Sequence, residues 1–149
     1  MAVSACLLGE LCRYDGATKR IDGVIEALKD AEIIPFCPEA PVLGTPRERI
    51  SVVFSNKEGY RVVGDESGAD VTALIKEQTQ KLLDEHPDLD GVVLKSKSPS
   101  CGLGTTPIVN IHGKLLCYDN GVAAQMLLES LKGIDICDEQ KYIKELQND

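Results

Sequence analysis

Six cysteines, Cys6, Cys12, Cys37, Cys101, Cys117 and Cys137, are the residues of this sequence most able to do chemistry. The chain opens MAVSACLLGE, without a basic leader or a long apolar stretch, and no apolar run approaches the roughly 18 residues of a membrane span. A cytoplasmic protein is expected. Thiols in that reducing compartment seldom close structural disulfides, which leaves metal binding or thiol chemistry. The spacing excludes several answers: there is no CxxC pair, no finger pairing two cysteines with two histidines, and no ferredoxin-type run. A zinc hydrolase built on imidazoles is not expected either, since His86 abuts Pro87 at a helix end and His112 sits beside Gly113 in a turn. Cys117 and Cys137, at the ends of an apolar run and of a strand, read as small buried hydrophobes. Cys37 and Cys101 differ, because they lie among Pro, Gly, Ser and Glu in loops where packing makes no demand for a thiol.

The elements that must position these thiols follow from periodicity. Met1 to Cys6 suits a strand buried on both faces. Ile21, Val24, Ile25 and Leu28 fall at i, i+3, i+4 and i+7, the stripe of an amphipathic helix from about Asp22 to Lys29. Glu32 to Phe36 is a second strand, and a connection of this length favours a parallel, right-handed crossover. Ile50 to Ser55 and Tyr60 to Val63 flank Asn56-Lys57-Glu58-Gly59 as a hairpin, expected as an insertion at the sheet's edge. A helix from about Ala69 to Glu85 carries Val71, Leu74, Ile75 and Leu82 on one stripe and stops at Pro87. Gly91 to Lys95 is a third parallel strand. Ile108 to Leu116, broken at His112-Gly113, forms a second small hairpin. Val122 to Leu131 is a helix closed by Gly133, Ile134 to Ile136 a fourth strand, and Asp138 caps a terminal helix.

The expected fold is therefore α/β, a single domain over residues 1–149 with a mainly parallel, Rossmann-like sheet, flanking helices and small hairpin insertions. A chain of 149 residues holds one core and not two ordinary domains. With 43% hydrophobic and 27% charged residues it has the composition of a globular protein, and a net charge of −8 repels long polyanions, so no extended nucleic acid is expected as partner. In an open α/β sheet the strand carboxyl ends share one edge, where ligands bind. Cys6 and Cys12 follow the first strand, Cys37 the second and Cys101 the third, so residues 31 and 64 positions apart become neighbours. The segments CPEAPVLGTPRER and SKSPSCGLGTTP that carry two of them read as functional loops.

Four motifs in order, SACLLGxxCRYDG at 4–16, PFCPE at 35–39, TPRE at 45–48 and LKSKSPSCG at 94–102, span nearly the whole chain. Together they resemble a bacterial family catalogued as a domain of unknown function, which includes the TudS-type thiouracil desulfidases. That resemblance implies a 4Fe-4S cluster held by three cysteines, with a fourth iron open to the substrate's sulfur, and a non-redox replacement of C=S by C=O in a small thiolated nucleobase. The matching cysteines are Cys6, Cys37 and Cys101; Cys12 is placed near the site as a spare thiol. After PFCPE the chain reads APVLGTPRE, where relatives commonly carry a Gly-Gly-Leu stretch.

Three ligands suit this chemistry, because thiolates are the soft donors of an iron–sulfur cluster and a fourth would close every iron. Attack by water calls for a general base, for which Glu39, two residues past Cys37, is the candidate. Ser98 and Ser100, flanking Pro99, offer hydroxyls to hold the heterocycle or move a proton. Arg13, Asp15, Arg47 and Lys95 are candidates for orienting the base. Two rival readings stand beside this one. A cluster-free thiol or persulfide enzyme would use Cys12 or Cys37 as nucleophile, and a non-enzymatic module would bind metal without releasing sulfide.

Overall fold

The computed structural model describes residues 1–8, 25–26, 32–44 and 47–147. The first strand, β1 (Ala2–Ser4), runs into a 3-10 turn (Ala5–Leu8). Of the helix expected near Asp22 to Lys29, Ile25 and Glu26 are helical and the rest lies outside the described residues. There follow β2 (Ile34–Phe36), a one-turn helix α1 (Ala40–Leu43), β3 (Ile50–Ser55), β4 (Gly59–Gly64) and the long helix α2 (Thr72–Glu85). Next come β5 (Gly91–Leu94), β6 (Thr106–Val109), β7 (Leu115–Asp119), α3 (Val122–Ser130), β8 (Asp135–Asp138) and α4 (Glu139–Gln147).

Among the described residues two four-stranded sheets result. The first, in the order β2-β1-β5-β8, is parallel throughout, as the sequence predicts. Its central strands are apolar because both faces are covered. Ala2, Val92 and Leu94 point into a core shared with Val52, Val62 and Ile108 of the second sheet, Ile75 and Leu82 of α2, and Ala123 and Leu127 of α3. Val3 and Val93 point the other way, against Leu7, Cys137 and Tyr142. No helix among the described residues is long and apolar enough to cross a membrane.

The hairpin at residues 50–64 is not an insertion at the edge of the parallel sheet. It forms half of a second sheet, in the order β4-β3-β6-β7, where β3 and β6 pair in parallel and each outer strand is antiparallel to its neighbour. Local patterning identified both hairpins, but only tertiary packing joins them. The stripe on α2 also differs: Thr72, Ile75, Thr79 and Leu82 are its buried residues, while Leu74 is 38% exposed. Thr79 enters the core because its hydroxyl donates to the Ile75 carbonyl at 2.9 Å, so no polar atom is stranded. Asp138 caps α4 as expected, accepting the Lys141 amide at 2.9 Å.

Candidate functional site

Three neighbouring parallel strands deliver one cysteine each to a single cavity of about 580 Å³, a size usual for small-molecule sites. Cys6 sits in the turn after β1, Cys37 directly after β2, and Cys101 in the loop after β5. The second sheet supplies the opposite wall through Ser51, Pro107 and Val109.

Each thiol has a defined setting. The Cys37 sulfur accepts the Ala40 amide at 3.3 Å, because Pro38 and Glu39 turn the chain immediately into α1. Cys101 is buried, and burial pushes its thiol well above the usual range, with the charges of Glu39 and Cys37 acting in the same direction. Hydroxyls of Ser100 and Ser4 act the other way.

Glu39 and Ser100, 61 positions apart, meet in a hydrogen bond of 2.5 Å from the serine hydroxyl to Oε2. Arg47 grips the other carboxylate oxygen at 3.1 Å and also donates to the Gly44 carbonyl at 2.9 Å. Glu39 is only 8% exposed, so a neutralising guanidinium beside its carboxylate compensates much of the cost of burying the charge. Arg47 therefore supports Glu39 as well as lining the cavity. Ser100 is fully buried behind the wall, while Ser98 lines the cavity and organises the loop, accepting the amides of Cys101 at 3.1 Å and Ser100 at 3.3 Å.

The same loop is anchored from behind. The Ser100 carbonyl accepts the Ala123 and Ala124 amides at 2.9 and 3.1 Å, so the first turn of α3 docks onto it. Gly121 permits this approach, since a Cβ there would clash with the Ser100 backbone. Thr106 fixes the Ser98 carbonyl at 2.6 Å.

Lys95 lies at the wall with its ammonium directed to the Ser96 carbonyl at 2.7 Å and to Glu139 at 3.4 Å. Glu139, 3% exposed, was not singled out by sequence reasoning; it accepts the Ser96 amide at 2.8 Å and the Ser96 hydroxyl. Nothing local pairs residues 96 and 139. Ser4, which lines the cavity and accepts the Lys95 amide at 2.9 Å, was also missed, although it stands inside the SACLLG motif. Cys12, Arg13 and Asp15 lie outside the described residues. Cys137 is buried as expected, whereas Cys117 is exposed, because β7 is an outer strand with little packed over it. His86 and His112 occupy a helix end and a turn, as their neighbours predict.

Among the described residues no three Cys, His, Asp or Glu side chains gather tightly enough for a single metal ion. A cubane is wider than one ion and takes its donors at separate corners, so three soft thiols spread around one cavity fit it in kind. Thiols collected at the carboxyl ends of a parallel sheet, beside a buried carboxylate held by a hydroxyl and a guanidinium, define an α/β protein with a thiol-lined cavity. The chain belongs to the 2-thiouracil desulfurase family, whose model matches residues 1–141. It is similar to the solved structure of a [4Fe-4S]-dependent thiouracil desulfidase, TudS, with a TM-score of 0.76 and 32% identity, covering 99% of this chain and 95% of that one. It is also 32% identical to the uncharacterized protein YbbK of Bacillus subtilis (strain 168), over 86% of this chain and 89% of that protein.

Proposed function

We propose that this chain, acting as one domain in the cytoplasm, is an iron–sulfur-dependent desulfidase that hydrolyses the C=S group of a thiolated pyrimidine to C=O and releases sulfide. The observation that carries this reading is the convergence of Cys6, Cys37 and Cys101 on one cavity beside the Glu39–Ser100 pair. Those three cysteines would hold a 4Fe-4S cluster, which when bound supplies an open iron as Lewis acid for the soft thiocarbonyl sulfur.

The protein's own groups do the rest. Glu39 takes a proton from the attacking water, whose oxygen replaces sulfur on the same carbon. Ser100 fixes the orientation of that carboxylate through Oε2 and Arg47 through Oε1, so the base is set before substrate arrives. Ser98 offers its hydroxyl at the cavity wall, where it can hydrogen-bond the heterocycle. Arg47 and Lys95 bring N–H donors to the wall, where they can hydrogen-bond acceptor atoms of the heterocycle, and Arg13 and Asp15 join them as binding candidates from the sequence. Phe36 and Pro107 give the cavity apolar surface against which the ring can pack.

Oxygen-free purification followed by iron and sulfide assay and turnover of thiouracil tests the proposal. Brown protein that releases sulfide and the oxo base supports it. Full activity in metal-free protein, lost on alkylation of one thiol, overturns it in favour of the nucleophilic cysteine.

A further inference from the structure

β7 is the outermost strand of the second sheet, and Leu115, Leu116, Cys117 and Tyr118 on it are all exposed, Tyr118 at 61%. Ile111, 74% exposed, extends this apolar strip into the preceding turn. Among the described residues no strand covers its outer edge. An apolar edge of this kind is a template for another strand. The turn presenting it is firmly built: the Asn110 side chain accepts the amides of His112 and Lys114 at 2.9 and 3.0 Å, and Gly113 at φ 80° closes onto the Asn110 carbonyl.

The sequence Lys114-Leu115-Leu116-Cys117-Tyr118-Asp119 is complementary to itself when reversed, with a cation at one end and an anion at the other. Lys114 has no ion pair among the described residues. Asp119 is held ionised by the Tyr60 hydroxyl at 2.7 Å and the Asn120 amide. Register decides whether such a pairing is possible. Tyr118 pairs with Pro107 and Leu115 with Val109, two residues apart on β6, so Tyr118 and Leu115 share a face and Leu116 is the extra residue of a bulge. Two antiparallel copies related by a twofold axis normal to the sheet keep every side chain on its own face, so opposed residues must share one. The bulge makes this true both for Leu115 opposite Tyr118 and for Lys114 opposite Asp119.

We propose that the chain forms a twofold dimer in which β7 pairs antiparallel with β7 of a second copy, placing Lys114 against the partner's Asp119, Leu115 against the partner's Tyr118, and Leu116 against the partner's Cys117. The two second sheets become one sheet of eight strands, with the ion pair made twice. Pro107 and Val109 on the shared face line the cavity, so each cavity wall continues into the neighbouring copy. This proposal does not depend on the desulfidase reading.

Sedimentation velocity across a concentration series tests it, with a reversible species of twice 16.1 kDa expected. Lys114→Asp sets like charges opposite one another and weakens association by about tenfold. Tyr118→Lys, at a side chain exposed in the monomer, abolishes association while matching the wild type's thermal stability at concentrations dilute enough for both to be monomers. Leu116→Cys cross-links to the native Cys117 of the other copy on mild oxidation. A wild-type chain that sediments at monomer mass throughout overturns the proposal, as does a dimer that survives Tyr118→Lys or a Leu116→Cys variant that does not cross-link.

Discussion

Ser100→Ala removes the contact on which the proposed base depends, together with longer contacts of the same hydroxyl to the Ser98 oxygen at 3.4 Å and the Cys101 sulfur at 3.9 Å. The hydroxyl is fully buried and donates to Glu39 Oε2 at 2.5 Å, while Arg47 holds the other oxygen and remains in place after the substitution. A hydrogen bond to a charged group contributes roughly 1.5–3 kcal/mol. If that orientation energy is realised at the transition state, the loss corresponds to about a 10- to 150-fold fall in kcat at 1.4 kcal/mol per decade. Because Ser100 stands behind the wall and does not line the cavity, KM should stay within about twofold. Iron content should change little, since the Ser100 carbonyl anchors the loop to α3 and the hydroxyl's contact with the Cys101 sulfur is long, at 3.9 Å. Glu39→Gln should lower kcat further, by about 10²–10⁴-fold, because it removes the base and not merely its orientation. The assay is steady-state sulfide release from thiouracil by the reconstituted protein, with iron measured on the same samples. A Ser100→Ala variant with wild-type kcat, or one whose defect lies wholly in KM, would refute the reasoning.

Three further outcomes are expected. Cys101→Ser loses cluster iron and turnover together, read by iron assay and visible absorbance, whereas Cys117→Ser leaves both unchanged because that thiol lies on the exposed strand. Gly121→Ala forces a Cβ into the Ser100 backbone and costs about 1–3 kcal/mol by chemical denaturation, lowering activity as the loop shifts. Burial raises the carboxyl of Asp70, but hydrogen bonds from Arg61 and Thr72 outweigh it and hold the group at about 2. Its folded value is thus depressed, so its contribution is present above about pH 4 and is lost as pH falls toward 2. Asp70→Asn should flatten that part of the stability profile by less than about 1 kcal/mol, because the pair is partly solvated.

The parallel sheet was legible because Met1–Cys6 and Gly91–Leu94 are apolar on both faces, a pattern that strands under two layers require. Cysteines at the ends of three such strands then made the cavity foreseeable. Partnerships across the chain were not. The bond from Ser100 to Glu39 spans 61 residues, and the cradle of Glu139 around Ser96 spans 43, and no local period encodes either. The parallel pairing of β3 with β6 escaped for the same reason, which is why the first hairpin read as an edge insertion. Thr79 and Leu74 exchanged places on α2 because a threonine can satisfy its own hydroxyl within the helix, something hydrophobicity alone does not register. Cys117 misled because an apolar run can end on an open edge as well as in a core.

The most direct test is anomalous diffraction at the iron edge from crystals grown without oxygen. The account predicts one four-iron cluster in the cavity, bonded by the sulfurs of Cys6, Cys37 and Cys101, with one iron carrying no protein ligand. Iron bound elsewhere, or a fourth cysteine such as Cys12 closing the last position, would contradict it.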